Sequence, residues 1–350
     1  MPSTTRAVFT DQDGTPYIGS VDEVYEPLSN EVLVDVQFSG INPADVNHAR
    51  IGFNNTVAGY DFSGVVIKVG GQRENQFKPG DRVLGFAAPA LNKQIQYGTH
   101  QDLHCARHFI YHVPSSMPME DAACLMVVTH TAADALFNQL QVSFENETQP
   151  ILIWGGSSAV GTAAIQFAKK AGCYPIITTA SPRNHGKLQE IGATVCLDYN
   201  DANIIQNIRS ALSARTTKPL KRVLDAVVSR AHPSSTEICE ACIDDPSVAL
   251  FTSPVPASAD AKNHWSRTFA CRNVEVDFKL PNGTILQHTP NRPMQDKIDR
   301  ATCWAISAYG HGYCMPRVVI VQSGEEGIRT MLDVSAGKAS MQKFVIQHPI

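Results

Sequence analysis

A short segment that passes from an apolar run through small residues into a helical pattern constrains the fold of this chain more than any other feature. Residues 150–154 (PILIW) form a continuous apolar run, and the turn GGSSAVG follows at residues 155–161. Apolar residues then recur at helical spacing until Gly172, a residue type common at helix ends. Small residues let a pyrophosphate approach the backbone, and a helix N-terminus offers unpaired N–H groups and a partial positive charge.

The spacing of this turn differs from the common G-x-G-x-x-G pattern, because only Gly156 and Gly161 fall near that pattern. An ordinary turn between a strand and a helix is therefore the alternative. The order strand, turn, helix and strand is the context that supports such a motif. We therefore predict that this segment binds a dinucleotide.

Alternating apolar strands and helices around this segment predict the fold class. Before about residue 115 the chain is β-rich, with strands expected at residues 32–38, 62–69 and 82–86. A helix expected at 122–140 is followed by five apolar strands that alternate with helices, at residues 150–154, 174–179, 195–198, 222–228 and 247–251. Such strands indicate a parallel sheet covered on both faces, which binds nucleotides at the carboxyl ends of its strands. We predict an α/β protein with a doubly wound parallel sheet and a second, β-rich domain.

The length of 350 residues predicts two domains. We place the β-rich domain at residues 1–120 and the nucleotide-binding domain at residues 121–285. Residues 286–350 are expected to return to the β-rich domain, with a helix at 296–307 and strands at 317–321 and 343–346.

The charge balance and the cysteines exclude several classes of protein. Lys and Arg number 29 against 33 for Asp and Glu, so there is no general argument for binding nucleic acid or an anionic membrane. The N-terminal residues have no apolar core of a signal peptide, and no apolar run approaches the roughly 18 residues that span a bilayer. Of nine cysteines only Cys239 and Cys242 form a C-x-x-C, without a second pair to complete a zinc site. We expect reduced thiols, no bound metal, and a soluble cytoplasmic protein.

The loop after the second strand of the nucleotide-binding domain indicates which dinucleotide is bound. An NAD site usually has an acidic residue there, which accepts a hydrogen bond from the ribose 2′-OH. Here the strand leads into Ser181, Arg183 and Asn184, and no acid follows until Glu190. These side chains suit a 2′-phosphate, with charge-assisted bonds from Arg183, although a surface loop with one solvated arginine is the alternative. The local chemistry favours NADP (NADPH) over NAD.

Two further segments carry a family resemblance: GINPADVNH at residues 40–48 and GYDFSGVV at residues 59–66. With the dinucleotide turn, they make nearly the whole chain similar to the medium-chain dehydrogenase/reductase superfamily. The resemblance implies a GroES-like catalytic domain that is interrupted by a Rossmann domain.

Zinc-dependent members of this superfamily have a cysteine near position 42 and Gly-His-Glu near positions 59–61. This chain has Asn42 and the sequence Gly59-Tyr60-Asp61, and only Cys105 lies in the region of the four-cysteine structural zinc lobe. Without those ligands the chain lacks the cysteine and histidine side chains that would hold zinc at these positions. The resemblance therefore implies the zinc-independent branch of enone, quinone and enoyl reductases, in which hydride is added to a β-carbon and hydrogen-bond donors stabilise the enolate.

Within that branch the chain most closely resembles fungal trans-acting enoyl reductases that partner polyketide synthases, as in lovastatin biosynthesis. The matches are GGSSAV at residues 155–160, SPRN at 181–184 and LDY at 197–199. The resemblance implies that these segments hold the pyrophosphate, the 2′-phosphate and the adenosine end of the cofactor. The implied cofactor-binding residues are Ala44, Asp45, Val46, Asn47, Ser157, Ser158, Ala159, Val160, Ser181, Pro182, Arg183, Asn184, Tyr199, Ser253, Ala339 and Ser340.

The catalytic half departs from this family at two positions. Asn47 replaces a lysine of the family's Asn-Pro-x-Asp-x-Lys box, and Met341 replaces a glycine of its Ser-Gly-x-Lys box. An asparagine can donate a hydrogen bond but has no proton to give at pH 7. The resemblance implies Asn47 and Thr131 as catalytic residues, with Thr131 at the start of a helix. It implies Thr131, Ala132 and Tyr60 as substrate contacts.

These observations lead to one expected function and two alternatives. We expect an NADP-dependent oxidoreductase acting on C=C bonds, namely a trans-acting enoyl reductase that reduces an α,β-unsaturated polyketide thioester in secondary metabolism. Its implied partner is a polyketide synthase, or a hybrid with a nonribosomal peptide synthetase, that carries the acyl substrate; we expect the reductase itself to be a monomer. The alternatives are a free-standing quinone or enone reductase, and a diverged non-redox member that acts as a cyclisation or partner module of a synthase. For Asn47 itself, the alternative to a catalytic role is an ordinary turn residue in a loop that contains proline.

Overall fold

A computed structural model describes residues 5–280 and 282–350, which form two compact units. The first unit contains the residues up to Val127 together with Arg272–Asn291 and Arg317–Ile350. The second unit contains Val128–Cys271 and Arg292–Pro316. Within the described residues, no helix is both long enough and apolar enough to cross a bilayer.

The N-terminal part of the chain is mostly strands. Its elements are β1 (Thr5–Thr10), β2 (Pro16–Val21), β3 (Val32–Ile41), α1 (Ala44–Asn47), β4 (Thr56–Val57), β5 (Asp61–Val69), β6 (Arg82–Phe86), β7 (Leu103–Ala106), β8 (Ile110–His112), α2 (Met119–Ala122) and α3 (Met126–Ala133). Short 3-10 turns lie at His48–Ile51 and Ile95–Tyr97. The strands expected at residues 32–38, 62–69 and 82–86 correspond to β3, β5 and β6.

The middle of the chain alternates strands with helices. Its elements are β9 (Ile151–Trp154), α4 (Ala159–Ala171), β10 (Ile176–Thr179), α5 (His185–Ile191), β11 (Val195–Leu197), α6 (Ile204–Ser213), β12 (Arg222–Asp225), α7 (Ser235–Ala241), β13 (Leu250–Ser253) and β14 (Trp265–Arg267). All six strands pair in parallel in the order β11-β10-β9-β12-β13-β14. This is the 3-2-1-4-5-6 order of dinucleotide-binding sheets, and the predicted doubly wound α/β class is confirmed.

The last part of the chain contains β15 (Val276–Lys279), β16 (Ile285–His288), α8 (Arg292–Ser307), β17 (Arg317–Val321), α9 (Gly324–Ser335) and β18 (Gln342–Gln347). The main sheet of the first unit has the order β17-β18-β3-β5-β6-β8, and β7 also pairs with β3. β18 runs antiparallel to β3 along residues 38–41, so the end of the chain completes a sheet that begins near its start. Valines on β3 and β5 pack with Phe62 and Phe77 in its core.

The boundaries of the two units differ from the predicted division in two places. The helix α8 was assigned to the return segment, but it belongs to the second unit, where the Phe167 ring lies 5.8 Å from both Trp304 and Tyr313. The hairpin β15–β16 belongs to the first unit, where the rings of Phe53 and Phe278 lie 5.6 Å apart. Both differences follow from aromatic contacts over long sequence separations, which a local composition pattern does not report.

Candidate functional site

The turn between β9 and α4 lies at the carboxyl end of the parallel sheet. Residues 151–156 are buried, whereas Ser157, Ser158, Ala159 and Val160 all remain partly exposed. The Ser158 hydroxyl caps α4 by accepting a hydrogen bond from the Gly161 amide at 3.0 Å. The turn is fixed to the neighbouring strand because the Gly155 amide donates to Thr179 Oγ1 and the Gly156 amide donates to the Thr179 carbonyl.

Three glycines in this turn have no room for a side chain. Gly155 has φ +80°, and a Cβ there would lie 2.6 Å from the side chain of Val227. A Cβ on Gly156 would lie 2.1 Å from Thr178 Oγ1, and one on Gly161 would lie 2.4 Å from the Gly155 carbonyl oxygen. The backbone of the turn therefore has no side chain at these three positions and packs closely against its neighbours. A pyrophosphate site at a helix N-terminus requires a backbone that the ligand can approach in this way.

The predicted 2′-phosphate segment forms a short turn after β10. Ser181 precedes the 3-10 turn Pro182–Asn184, and its hydroxyl lies 3.2 Å from the Tyr199 hydroxyl. Arg183 is exposed, and within the described part of the chain no carboxylate pairs with its guanidinium. Asn184 is mostly buried. The structure thus brings Tyr199 to Ser181, two residues before Arg183, and Glu190 pairs with Lys187 on α5.

Three other predicted cofactor-binding residues lie elsewhere. Ser253 ends β13 at the carboxyl edge of the parallel sheet, where its buried hydroxyl donates to the Val255 carbonyl at 2.7 Å. Ala339 and Ser340 lie in the first unit between α9 and β18, and both are partly exposed. Met341, which follows them, has φ +52° in the left-handed region that favours glycine. The backbone therefore keeps a conformation suited to the glycine of the family's box.

A buried chain of hydrogen bonds joins Asp61, Asn42 and Lys343 in the first unit. Asn42 Nδ2 donates to Asp61 Oδ2 at 2.9 Å, and Asn42 Oδ1 accepts from Lys343 Nζ at 2.7 Å. Lys343 Nζ also donates to the Ile41 carbonyl, and Asp61 Oδ1 accepts from the Val127 amide. Burial raises the pKa of Asp61 to about 6, against the lowering effects of the Lys343 charge and the Asn42 hydrogen bond.

The segment 44–47 forms α1, directly after Asn42. Asp45 is buried, and its Oδ2 accepts from the Asn42 amide at 2.7 Å. Ala44, Val46 and Asn47 are partly exposed. Among residues 5–280 and 282–350, nothing forms a hydrogen bond with the Asn47 side chain, so its amide is available to a ligand.

Tyr60 lies beside His48 and Lys93. Its hydroxyl is 3.0 Å from His48 Nδ1, and Lys93 Nζ lies 5.2 Å from the centre of its ring. A small pocket in the first unit is bordered by Thr10, Asp45, Thr56, Tyr60 and Lys93. Lys93 is partly exposed along its stem, but enclosure of its ammonium lowers the pKa to about 8, and Asp45 opposes that shift.

The structure places Thr131 in the middle of a helix, not at the start of one. α3 begins at Met126, and a π-helical turn, Asp134–Gln139, continues it. Asp134 is buried beside this turn and accepts from the Phe269 amide at 2.7 Å. Thr131 is partly exposed, whereas Ala132 is fully buried. An N-terminal helix position therefore does not explain Thr131, and the Ala132 side chain offers no exposed surface to a substrate.

The C-x-x-C pair is part of the apolar core. Cys239 lies on α7 and Cys242 follows it, and both pack with Leu152, Ile208 and Phe251. Burial raises the pKa of the Cys242 thiol to about 12 and that of Cys239 well above its usual value. These thiols act as small apolar side chains.

Sequence reasoning missed Lys343, His100 and Lys93. Lys343 was read only as the end of a motif box, although its ammonium contacts Asn42. The one available signal was Asn42, since a buried amide in place of a cysteine needs hydrogen-bond partners of its own.

Comparison with known proteins agrees with both units. Residues 28–113 match the family described as "Alcohol dehydrogenase GroES-like domain". The trans-enoyl reductase himH of Aspergillus japonicus is 27% identical over 329 residues, which are 91% of this chain and 89% of that protein. The trans-enoyl reductase TOXD of Cochliobolus carbonum is 33% identical over 202 residues, 56% of this chain and 66% of that protein. A quinone oxidoreductase structure from Coxiella burnetii gives a TM-score of 0.71 at 22% identity and covers 98% of this chain and 99% of that chain, which shows the fold.

Proposed function

Since the chain belongs to the medium-chain dehydrogenase/reductase superfamily and is homologous to fungal trans-enoyl reductases, we propose that it is an NADPH-dependent, zinc-independent enoyl reductase. Its proposed substrate is an α,β-unsaturated polyketide thioester carried by a partner synthase. The observation that carries this proposal is the similarity to a named trans-enoyl reductase over 329 residues of both units.

The residues of the dinucleotide turn fit a nicotinamide cofactor. The bare backbone at Gly155, Gly156 and Gly161 provides close approach, and the N-terminus of α4 provides unpaired amides. We propose that Ser157, Ser158, Ala159 and Val160 hold the pyrophosphate and that Tyr199 contacts the adenosine end. NADPH, when bound, supplies the hydride for the reduction.

The choice of NADPH over NADH is proposed to rest on Arg183. Arg183→Ala should weaken NADPH binding at least tenfold, about 1.4 kcal/mol, because the charge-assisted bonds to the 2′-phosphate are lost. NADH binding should stay nearly unchanged. Fluorescence titration of both cofactors measures this, and Arg215→Ala, an exposed arginine after α6, controls for the change in net charge. An equal loss for both cofactors would show that Arg183 does not bind the 2′-phosphate.

On the substrate side, we propose that Asn47 donates a hydrogen bond to the carbonyl oxygen as it gains charge, and Thr131 stays a predicted catalytic residue. Addition of hydride to the β-carbon moves the electron pair of the double bond toward that oxygen. The Asn47 amide is partly exposed and has no protein acceptor in the described residues, so it can stabilise the enolate at no cost to the fold. Tyr60 is proposed to border the acyl chain.

The proposed mechanism needs no metal. The amide of Asn42 and the carboxylate of Asp61 are hydrogen-bonded to each other, and the Lys343 ammonium adds a positive charge that repels a second cation. The purified protein should contain less than stoichiometric zinc, and chelators should change neither its stability nor its turnover. Elemental analysis that finds one zinc per chain would contradict the assignment to the zinc-independent branch.

One assay separates this proposal from its alternatives. NADPH is incubated with enoyl thioesters on pantetheine or on an acyl carrier domain, and separately with quinones, while nicotinamide absorbance is followed. Turnover of the thioesters supports the proposed function, and faster turnover with a carrier domain supports the synthase partner. Turnover of quinones alone favours a free-standing quinone reductase. Tight NADPH binding without turnover of either class favours a non-redox role.

A further inference from the structure

A continuous chain of hydrogen-bonded side chains crosses the interior of the first unit. His348 Nδ1 lies 3.0 Å from Asp102 Oδ1, and His348 Nε2 lies 2.8 Å from Ser39 Oγ. Ser39 Oγ is also 2.8 Å from His100 Nδ1, and His100 Nε2 lies 3.3 Å from Asp45 Oδ2. We call these five residues the Asp102–Asp45 chain. Its three central side chains are almost fully buried.

The hydrogen bonds of this chain require one proton more than its neutral groups supply. With both terminal carboxylates ionised, the four contacts need four protons. Two neutral imidazoles and one hydroxyl provide three. A proton that enters the chain can therefore reside on either ring. It moves between the rings when one ring gives its proton to the Ser39 oxygen while the Ser39 hydroxyl proton passes to the other ring. The geometry is therefore that of a proton shuttle and not only of a buried polar cluster.

The two ends of the chain have different surroundings. The Asp102 side chain is 16% exposed, so solvent can reach it. At the other end Asp45 is buried, its Oδ1 has no hydrogen-bond partner among the described residues, and Asp45 borders the pocket beside Tyr60 and Lys93. That pocket has room for about one water molecule. An unpartnered buried carboxylate oxygen indicates a polar group that is brought in when the site is in use.

We propose that the Asp102–Asp45 chain conducts protons from solvent to the pocket beside Tyr60 and supplies the proton that is added to the substrate α-carbon. This rests on the proposed enoyl reduction. Hydride adds to the β-carbon, the π electrons of the double bond form the enolate, and the proton makes the new bond at the α-carbon. The proton leaves the Asp45 end through a water molecule in the pocket, and solvent replaces it at Asp102. The chain thus provides what the lysine replaced by Asn47 would otherwise supply.

Other charged groups act on both ends of the chain. The charges of Lys93 and Asp61 interact with the charge of Asp45. The charge of Asp35, on β3, interacts with those of His348 and Asp102. Burial lowers the pKa of His348, whereas its hydrogen bond to Asp102 opposes that shift. Burial and the neighbouring Asp102 raise the pKa of Asp35. Any measured titration therefore includes these neighbours.

Histidine ring nitrogen NMR of the ¹⁵N-labelled protein tests the chain without any turnover. Signals are assigned from their loss in His100→Gln and His348→Gln. We expect each ring to exchange between two tautomers in a way that depends on the other ring, and we expect Ser39→Ala to uncouple them. Two neutral rings with fixed tautomers in the wild type, or no effect of Ser39→Ala, would overturn the proposal.

Turnover provides the second measurement. Ser39→Ala should lower kcat about 10²-fold, the usual scale of a proton-transfer contribution, and change its pH profile, with NADPH affinity within a few-fold. Ser63→Ala is the matched control, because this serine on β5 is equally buried but donates to the Met119 carbonyl. Asp102→Asn, at the exposed end, should also lower kcat. A loss of kcat in both variants is then not explained by misfolding that follows a substitution at the buried Ser39.

The two readouts separate the failure of each proposal. Coupled rings in a protein that reduces no enoyl thioester would refute the proposed function and support the chain. Normal kcat in both Ser39→Ala and Asp102→Asn, in an active enzyme, would overturn the chain as the proton source.

Discussion

Replacing Asn47 with alanine is expected to lower the turnover of an enoyl thioester about 10²–10³-fold, or about 2.7–4 kcal/mol. The side chain lies at the end of α1, partly exposed and with no acceptor among the residues described, so its amide is available to an enolate oxygen. Removal of one such donor costs this much because the developing charge is left unpaired. Steady-state kinetics with NADPH and a simple enoyl thioester measure the loss.

Two further variants show whether the effect belongs to the amide. Asn203→Ala, at an exposed position before α6, should leave kcat unchanged. Asn47→Lys should keep or raise turnover, because a cation stabilises an oxyanion more strongly than a neutral amide does. If Asn47→Ala turns over substrate normally, Asn47 is a turn residue. An inert wild type that gains activity as Asn47→Lys would point to a native function other than reduction.

Replacing Lys343 with methionine is expected to lower the free energy of unfolding by about 3–5 kcal/mol. The change keeps the apolar stem but removes the ammonium that donates to Asn42 Oδ1 and the Ile41 carbonyl, both buried. It also leaves the fully buried Asp61 without a nearby positive charge. Denaturant unfolding measures the loss. Lys338→Met, an exposed lysine on the same segment, should change stability by less than about 0.5 kcal/mol.

The loss in Lys343→Met should depend on pH in a definite direction. Burial raises the folded-state pKa of Asp61 to about 6, above its ordinary value of 3.8, so ionisation of Asp61 reduces stability as pH rises through this window. Lys343 offsets that cost only when Asp61 is ionised. The destabilisation should therefore be smaller at pH 5 than at pH 8. A loss that is independent of pH would show that the two charges are not coupled.

The sequence predicted the parallel sheet because its strands are short, apolar throughout and separated by helices. The ends of these elements were harder to predict, because apolar residues continue past the strands. Residues 222–228 were expected to form one strand, but β12 ends at Asp225, whose carboxylate accepts from the amides of Val227 and Val228. Val228 then has φ +48°, which turns the chain away from the sheet. The hydrogen bonds from these two amides to the buried Asp225 carboxylate therefore set the end of β12.

The candidate site also has one part that lies in local sequence motifs and one part that joins distant segments. The predicted cofactor residues follow one another in short segments, so local patterns are enough to predict them. The polar chains of the first unit join residues from distant segments, as Lys343 with Asn42 and His348 with Ser39. No periodicity in the sequence reports such pairs. They depend on the pairing of β18 with β3, which only the fold reveals.

The pairing of β18 with β3 also has a consequence for how the protein is made. The contact between Lys343 and Asn42 spans 301 residues, which at about 5–20 residues per second takes the ribosome about 15–60 s. During that time residues 38–41 of β3 have no partner on one edge, and such an edge can pair with another chain. The parallel sheet of the second unit ends at Arg267 and is complete sooner. All strands of the parallel sheet therefore leave the ribosome before β18 does, and we expect the first unit to need protection from such pairing until β18 has been made.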